Sequence, residues 1–161
     1  MKLELDKIRT DGGTQPRGQI DWGVVSEYGL EMKDNGATFP AIVVFYDGRD
    51  YWLADGFHRY YATEQAGQQS IEADVRQGTQ HDAQWYSYAA NKSHGLRRSN
   101  EDKRRAVEAA LRHPMAVGLS NVQIAAHCGV TEGYVRKLKK PIFVQYEDTA
   151  PRRAGVLSAI K

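Results

Sequence analysis

Residues 119–138 read LSNVQIAAHCGVTEGYVRKL and predict two short helices joined by a tight turn. Ser120 and Thr131 each supply a hydroxyl where a helix begins, a position that favours such side chains. Gly129 falls at the turn, where a positive φ is easiest for glycine, and Val135 is one of the apolar residues expected to face inward. This combination is typical of a helix-turn-helix, in which the second helix enters the major groove of DNA.

The residues expected to face outward are polar or cationic, and such side chains suit base edges and phosphates. A helical hairpin without a DNA contact has some of the same features. The turn glycine, the inward positions and the capped basic second helix occur together here, and this favours DNA binding. We therefore predict DNA contacts from Gln123, Thr131, Glu132, Tyr134, Arg136, Lys137, Lys139 and Lys140.

Charge is distributed unevenly along the chain, and the basic part contains the predicted helix-turn-helix. Residues 1–90 carry 8 Lys and Arg against 14 Asp and Glu, a net charge of −6, whereas residues 91–161 carry 14 against 6, a net charge of +8. A basic half beside an acidic half indicates a polyanion partner for the C-terminal part. The other interpretation of this charge is a solvated helical surface.

Length and composition limit the class of protein. With 161 residues, 41% hydrophobic and 26% charged, the chain has an ordinary globular composition and room for one domain or two small ones. A single cysteine, Cys128, excludes an internal disulfide and a multi-cysteine metal site, and we expect it to be a small packed residue. The chain has no apolar run of membrane-spanning length and no secretory leader pattern at its start, so we expect a cytoplasmic protein.

Residues 1–90 alternate between strand and helix signals. Strands are expected at 3–8, 41–46, 51–54 and 71–75, with an Asp-Gly hairpin turn at 47–48. Helices are expected from Asp21 to about Asn35, from 57 to 66, and from a cap at Asp82 to about 91. Beyond these, a helix beginning at Ser99 and ending before Pro114 precedes the helix-turn-helix. The fold class is therefore α+β: a small mixed sheet with helices, then an all-helical module.

A possible anion site lies where the strand at 51–54 passes into a helix. Gly56 allows a close approach of the backbone, the following helix start offers free N–H groups, and His58 and Arg59 add donors. Asp55 could hold Mg²⁺ through its oxygens, and Arg17, in Gln15-Pro16-Arg17, offers a second cation. The same pattern also fits a plain strand–helix junction in which Asp55 only caps the helix.

Three segments together resemble the ParB/sulfiredoxin superfamily, in particular ParB-like proteins that join this domain to a helix-turn-helix. The segment 15–17, QPR, resembles the first family box. The segment 56–62, GFHRYYA, resembles its Gly-Glu-Arg-Arg box, and Asn91 with the basic stretch after it resembles its Glu-Asn-x-x-Arg box. The resemblance covers about residues 3–140.

The resemblance implies a nucleotide pocket, for CTP with Mg²⁺ in ParB-type proteins. By position, Gly56, His58 and Arg59 would contact phosphates, Gln15 and Arg17 would border the pocket, and Asp55 and Asn91 would lie near the metal. His94, Arg97 and Arg98 compete for the place of the arginine in the third box. The nucleotide-binding prediction is therefore Gln15, Arg17, Asp55, Gly56, His58, Arg59, Asn91, Arg97 and Arg98.

Departures from the family pattern narrow the expected activity. Ala90 replaces the acidic residue before the asparagine, which argues against hydrolysis that depends on that carboxylate. Phe57 stands where sulfiredoxins carry their cysteine, so sulfiredoxin activity is rejected. The chain begins at its first strand, without the tail by which ParB proteins engage the partition ATPase. That partner is therefore not expected.

We accordingly predict three regions: a ParB/sulfiredoxin-like domain at 1–90, a helical module at 91–140 with the helix-turn-helix at 119–138, and an unassigned tail at 141–161. The expected function is sequence-specific binding of double-stranded DNA, gated by CTP or ATP with Mg²⁺, in a regulator of transcription that forms a homodimer. One alternative is an enzyme of the same fold, an ATP-dependent phosphotransferase or a nucleotide hydrolase. Another is a protein-interaction adaptor that binds neither DNA nor nucleotide.

Overall fold

Five strands form one mixed sheet in the order β1-β5-β3-β4-β2. The computed structural model describes residues 1–15, 19–90 and 97–139. The strands are β1 (Lys2–Glu4), β2 (Ile8–Arg9), β3 (Ile42–Tyr46), β4 (Tyr51–Asp55) and β5 (Ser70–Gln77). The β1–β5 and β3–β4 pairs are antiparallel, and the β3–β5 and β2–β4 pairs are parallel. This is the mixed sheet that the sequence predicts.

The first expected strand is divided between the two edges of this sheet. Residues 3–8 were predicted as one strand, but a 3₁₀ turn at Leu5–Lys7 separates β1 from β2. Strand β1 pairs with β5 at one edge, and β2 pairs with β4 at the other. Because only three residues join the two edges, the sheet has to curl on itself. The single-strand prediction was wrong because periodicity alone cannot report which neighbour a strand pairs with.

Two helices, α1 (Trp22–Asn35) and α2 (Phe57–Gln65), pack together on one side of the sheet. The Asp21 carboxylate caps α1 by accepting from the Val24 N–H at 3.2 Å, and Gly36 ends it in the left-handed conformation. The core on this side contains Leu3, Leu5, Ile8, Ile42, Val44, Leu53, Phe57, Tyr60 and Ala73. Both helices lie where the sequence predicts them.

Helix α3 (Gln80–Ala89) covers the other face of β3 and β4. Its Ala83 is fully buried against Phe45, Trp52 and other residues of the two strands. The cap is Thr79, which accepts from the Asp82 N–H, while the Asp82 carboxylate accepts from the Thr79 N–H. Asp82 is therefore the third residue of a capping box, not the cap that we expected, and the helix begins earlier than predicted.

The C-terminal part is helical throughout its described residues. Helix α4 (Asn100–Arg112), a 3₁₀ turn (Pro114–Ala116), α5 (Asn121–Cys128) and α6 (residues 132–139) follow one another. Their core contains Ala106, Val107, Ala110, Ile124, Ala125, Cys128 and Val135, together with Tyr88 of α3. Helix α3 therefore packs on both the sheet and the helical part. In the described residues, no helix is long and apolar enough to cross a membrane.

Candidate functional site

The helices α5 and α6 have the geometry that the sequence predicts for a helix-turn-helix. Ser120 caps α5 with a capping box to Gln123, and Gly129 occupies the left-handed region at φ 70°. The Thr131 hydroxyl then accepts from the Tyr134 N–H at 3.2 Å at the start of α6. Val135 is fully buried in the helical core. These contacts fix the angle at which α6 leaves the turn.

The exposed face of α6 carries Gly133, Arg136 and Lys137. Tyr134, which we expected to point outward, is half-buried and packs against the helical core, because the third residue of α6 faces α4. Burial raises the pKa of its phenol, and Arg104 opposes this effect. The exposed face of α6 is thus narrower than the sequence indicates.

The remaining DNA candidates lie at the ends of the two helices. The Gln123 amide oxygen accepts from the Ser120 N–H at 2.8 Å, so this side chain has a capping role in α5. The Lys139 ammonium donates to Asn121 Oδ1 at 3.1 Å and ties the end of α6 to the start of α5. Lys140 lies outside the described residues.

Arginines of α4 and α6 form ion pairs with acids of their own helices. Arg136 lies 3.7 Å from Glu132, and in α4 Arg104 lies 3.0 Å from Glu108. Such exposed ion pairs contribute little to stability, about 0.3–0.5 kcal/mol each. They can therefore open at small cost when a phosphate competes for the arginine.

The Gly56 turn also forms as expected, between β4 and α2. Gly56 has φ 103°, and a Cβ at this position would lie 2.5 Å from Ile42 Cγ2, so only glycine fits. No side chain caps α2, and Asp55 is therefore not the cap. The N–H groups at this helix end, with the positive end of the helix dipole, present the kind of donor set that binds an anion.

The Arg59 side chain is engaged within the protein. Its Nη1 donates to the carbonyl oxygens of Pro40 at 2.6 Å and Ala41 at 2.8 Å, and Nη2 lies 3.3 Å from the Asp55 carboxylate. Arg59 also lines an open cavity of about 260 Å³ between the end of α1 and β5. A phosphate contact from Arg59 would require it to leave these partners.

His58 makes a structural contact between two helices. The side chain is buried, and Nε2 accepts from the Asp21 N–H at 3.1 Å. An accepting Nε2 places the proton of the neutral ring on Nδ1. The imidazole thus joins the start of α2 to the start of α1, and its contact with a phosphate stays a prediction.

The loop after β2 runs beside the Gly56 turn. The Thr14 hydroxyl is buried and donates to the carbonyl of Leu53, two residues before Asp55. Gln15 is half-buried next to it. Arg17 lies outside the described residues, as does Asn91. Within the described part, the structure therefore brings Gln15, Asp55, Gly56, His58 and Arg59 to one end of β4.

Arg98 is buried, with 6% of its surface exposed, and it joins two helix ends. Its guanidinium donates to the carbonyl of Tyr88 at 3.4 Å, near the end of α3, and to that of Cys128 at 2.8 Å, at the end of α5. A cation is favourable at a helix C-terminus because the dipole is negative there. The neighbouring Arg97 is exposed.

The described residues contain no cluster of three or more His, Cys, Asp or Glu that could hold a metal ion. Asp55 is a single carboxylate with Arg59 beside it, and Asn91, the other predicted ligand, is not among the described residues. These residues thus fit a phosphate at backbone donors better than they fit a resident Mg²⁺.

Sequence reasoning missed a polar and aromatic contact between α3 and the helical part. His127 stacks on Trp85, with ring centroids 4.3 Å apart, and its Nε2 donates to the Trp85 carbonyl at 2.6 Å. His113 contacts Gln84 at 3.1 Å. These residues are distant in sequence, and their spacing follows no known motif. Only the folded chain brings them together.

Comparison with known protein families gives a match over the first part of the chain. The family described as the ParB N-terminal domain matches residues 1–91. A sulfiredoxin from Arabidopsis thaliana is 29% identical and has a TM-score of 0.43, over 51% of this chain and 89% of that one. A comparison with curated proteins finds no match.

Two structures of C-terminally truncated ParB, the chromosome-partitioning protein of Caulobacter crescentus, share the fold. The one complexed to the centromeric parS site has a TM-score of 0.60 at 13% identity, over 99% of this chain and 78% of that one. The one complexed with CTP-γ-S has a TM-score of 0.51 at 14% identity, over 93% and 87%. At such identities the likeness shows the fold, and it extends through the helical part. With its matched domain spanning more than half of its length, the chain belongs to the ParB N-terminal domain family of the ParB/sulfiredoxin superfamily.

Proposed function

We propose that this protein binds double-stranded DNA through α6, with nucleotide at the Gly56 turn setting its affinity. The observation that carries the DNA proposal is the exposed face of α6, where Arg136 and Lys137 project from a helix-turn-helix locked by Gly129 and Val135. The structural neighbour bound to parS shares this fold over almost the whole chain. The sequence-specific part of the contact then comes from base edges in the major groove.

The nucleotide proposal rests on the end of β4. The uncapped start of α2 and the adjacent Gly56 offer backbone donors for phosphates, and a structural neighbour was solved with CTP-γ-S. We propose CTP or ATP as the ligand, with Arg59 moving from the Pro40 and Ala41 carbonyls to a phosphate. Mg²⁺ would arrive with the nucleotide, because the described residues offer it only Asp55.

Salt dependence of DNA binding tests the first proposal. Titration of a labelled random-sequence duplex measures phosphate contacts, because each contact releases counterions. The double variant Arg136→Ala/Lys137→Ala should bind more weakly, and its slope of log affinity against log salt should be shallower by about two. A matched control, Lys33→Ala/Arg76→Ala, removes two exposed cations of α1 and β5 and should keep the slope. Equal slopes for both double variants would disprove the assignment to α6.

Calorimetric titration with CTP, ATP and GTP, each with Mg²⁺, tests the second proposal. We expect one of the three to bind, and Arg59→Ala to abolish that binding while circular dichroism shows an unchanged helix content. Native affinity in this variant would mean that Arg59 serves only the Pro40 and Ala41 carbonyls. The enzyme alternative gains no specific support, because the carboxylate that it needs, Asp55, is paired with Arg59.

A further inference from the structure

A continuous hydrogen-bonded path crosses from the loop after β2 to the helical part. Gln84 Nε2 donates to the Gly12 carbonyl at 2.7 Å, and Gln84 Oε1 lies 3.1 Å from His113 Nε2. His113 Nδ1 in turn accepts from the Met115 N–H at 3.2 Å. The path therefore has three links and runs through one side chain of α3.

In this path, the donor and the acceptor of each hydrogen bond follow from those of the neighbouring hydrogen bond. Because Gln84 uses its NH₂ group on Gly12, the atom facing His113 is its carbonyl oxygen, which can only accept. His113 must then carry its proton on Nε2 and leave Nδ1 free to accept from Met115. If the amide of Gln84 turned over, both of its bonds would fail together.

Both ends of the path are held in place. Gly12 is buried beneath Trp52, whose ring carbon Cε3 would lie 2.9 Å from a Cβ at that position. His113 has 6% of its surface exposed, and the rings of Trp85 and Tyr88 lie 5.6 and 5.7 Å from it. Around His113, a broken hydrogen bond therefore leaves a buried polar group unpaired, which destabilises the folded state.

We propose that Gln84 is a positioning residue that couples the loop of residues 10–15 to the helix-turn-helix. A shift of the Gly12 carbonyl changes the place of the Gln84 amide, and with it the position of the His113 ring. His113 caps the 3₁₀ turn at Pro114–Ala116, which leads into α5. The loop borders the Gly56 turn through the hydrogen bond from Thr14 to Leu53. The coupling proposal rests on the proposed function only in giving this loop a role in nucleotide binding.

The chain supplies a matched control for this path. Gln80 lies one turn earlier in α3 and donates to the same Gly12 carbonyl at 3.0 Å. Within the described residues its amide has no hydrogen bond to His113. Substitution by methionine removes the hydrogen bonds of either side chain at nearly constant length. Gln80→Met thus loosens the loop alone, whereas Gln84→Met removes the connection as well.

Amide hydrogen exchange of the free protein tests the coupling. We expect both variants to accelerate exchange in residues 10–15, and Gln84→Met alone to accelerate the Met115 amide, by about fivefold or more. His113→Phe should accelerate the loop in the native background and add nothing in the Gln84→Met background. An unchanged Met115 amide in Gln84→Met, an equal change in Gln80→Met, or full additivity with His113→Phe would overturn the proposal.

The same measurement with a random-sequence duplex separates this proposal from the proposed function. We expect DNA to change exchange in residues 10–15 of the native protein and to leave that loop unaffected in Gln84→Met. Failure of the native protein to bind the duplex would contradict the proposed function, while the results on the free protein would still decide the role of Gln84. A loop response retained in Gln84→Met would overturn the coupling.

Discussion

Two glycines with similar backbone angles show how a single residue can serve either a turn or a close contact. Gly48 has φ 97° and no atom near its missing Cβ, whereas Gly56 has φ 103° and Ile42 Cγ2 at 2.5 Å. Gly48→Ala should cost only backbone strain, about 1–2 kcal/mol. Gly56→Ala adds overpacking and should cost about 3 kcal/mol or more. Denaturant unfolding measures both, and equal losses would mean that Ile42 moves aside freely.

At Gly133, by contrast, neither the backbone conformation nor the packing of the folded protein requires glycine. It lies in α6, and a Cβ there would have only Arg136 Nη2 nearby, at 3.9 Å. Alanine favours a helix over glycine by about 1 kcal/mol, so Gly133→Ala should raise the melting temperature. The added methyl group should weaken DNA binding, because glycine permits a close approach of the backbone to a ligand.

Thermal unfolding and duplex titration of Gly133→Ala measure these opposite effects on the same sample. Gly133→Ser, which adds a hydroxyl able to contact a phosphate, should lose less affinity than the alanine variant. A gain in stability with unchanged DNA affinity would place the DNA contact elsewhere on the helical part.

At the scale of elements, α3 decides how the two parts of the molecule meet. One face of α3 buries Ala83 against the sheet, and another presents Trp85 and Tyr88 to the helical core. A helix with two buried faces carries a weak amphipathic signal, so the sequence places it only as the end of the first domain. The tertiary structure shows it instead as the shared layer between sheet and helical part.

The α3 contact predicts a loss of stability in acid. Burial, together with the neighbouring His81, lowers the pKa of His113, while Asp82 opposes this effect. The unfolded chain, with a pKa near 6.5, therefore binds the proton first. The contribution of His113 to the free energy of unfolding is therefore fully present above the pKa of the unfolded chain. It falls as the pH drops from there toward the lower pKa of the folded protein.

Denaturant unfolding across this pH range measures the effect. His113→Gln, which keeps a donor and an acceptor but has no proton to gain, should flatten the dependence. A neighbouring variant, His81→Gln, is the control. It should leave most of the slope, because His81 is exposed and only adds to the effect of burial. An unaltered slope in His113→Gln would assign the pH dependence to another group.

At the scale of the whole molecule, Arg98 connects the matched family domain to the helix-turn-helix. It contacts the ends of α3 and α5 at once, and the planar fork of arginine suits two acceptors, whereas lysine is a single point charge. Arg98→Lys should therefore cost about 2 kcal/mol and accelerate amide exchange in α5. Arg112→Lys, at an exposed position in α4, is the control and should change neither quantity.

Local signals were enough to predict many of the elements. The hydroxyls of Ser99 and Ser120 and the glycines at 36, 56 and 129 mark helix and turn boundaries because each acts on its own backbone. For the same reason the helix-turn-helix and the Gly56 turn could be located before the structure was known. Their ligand contacts stay predictions, since spacing identifies a donor without showing which group already uses it.

The sequence by itself determined the α+β class, the order of elements and the two candidate sites, because caps, turns and apolar periods are written in neighbouring residues. Only the tertiary structure decided that residues 2–9 span both edges of a curled sheet, and that Arg59 and His58 are engaged within the protein. It also decided that Arg98, Gln84 and His113 join the two parts. The physical reason is that these contacts link residues far apart in the chain, and no local pattern encodes the partner of a buried polar group.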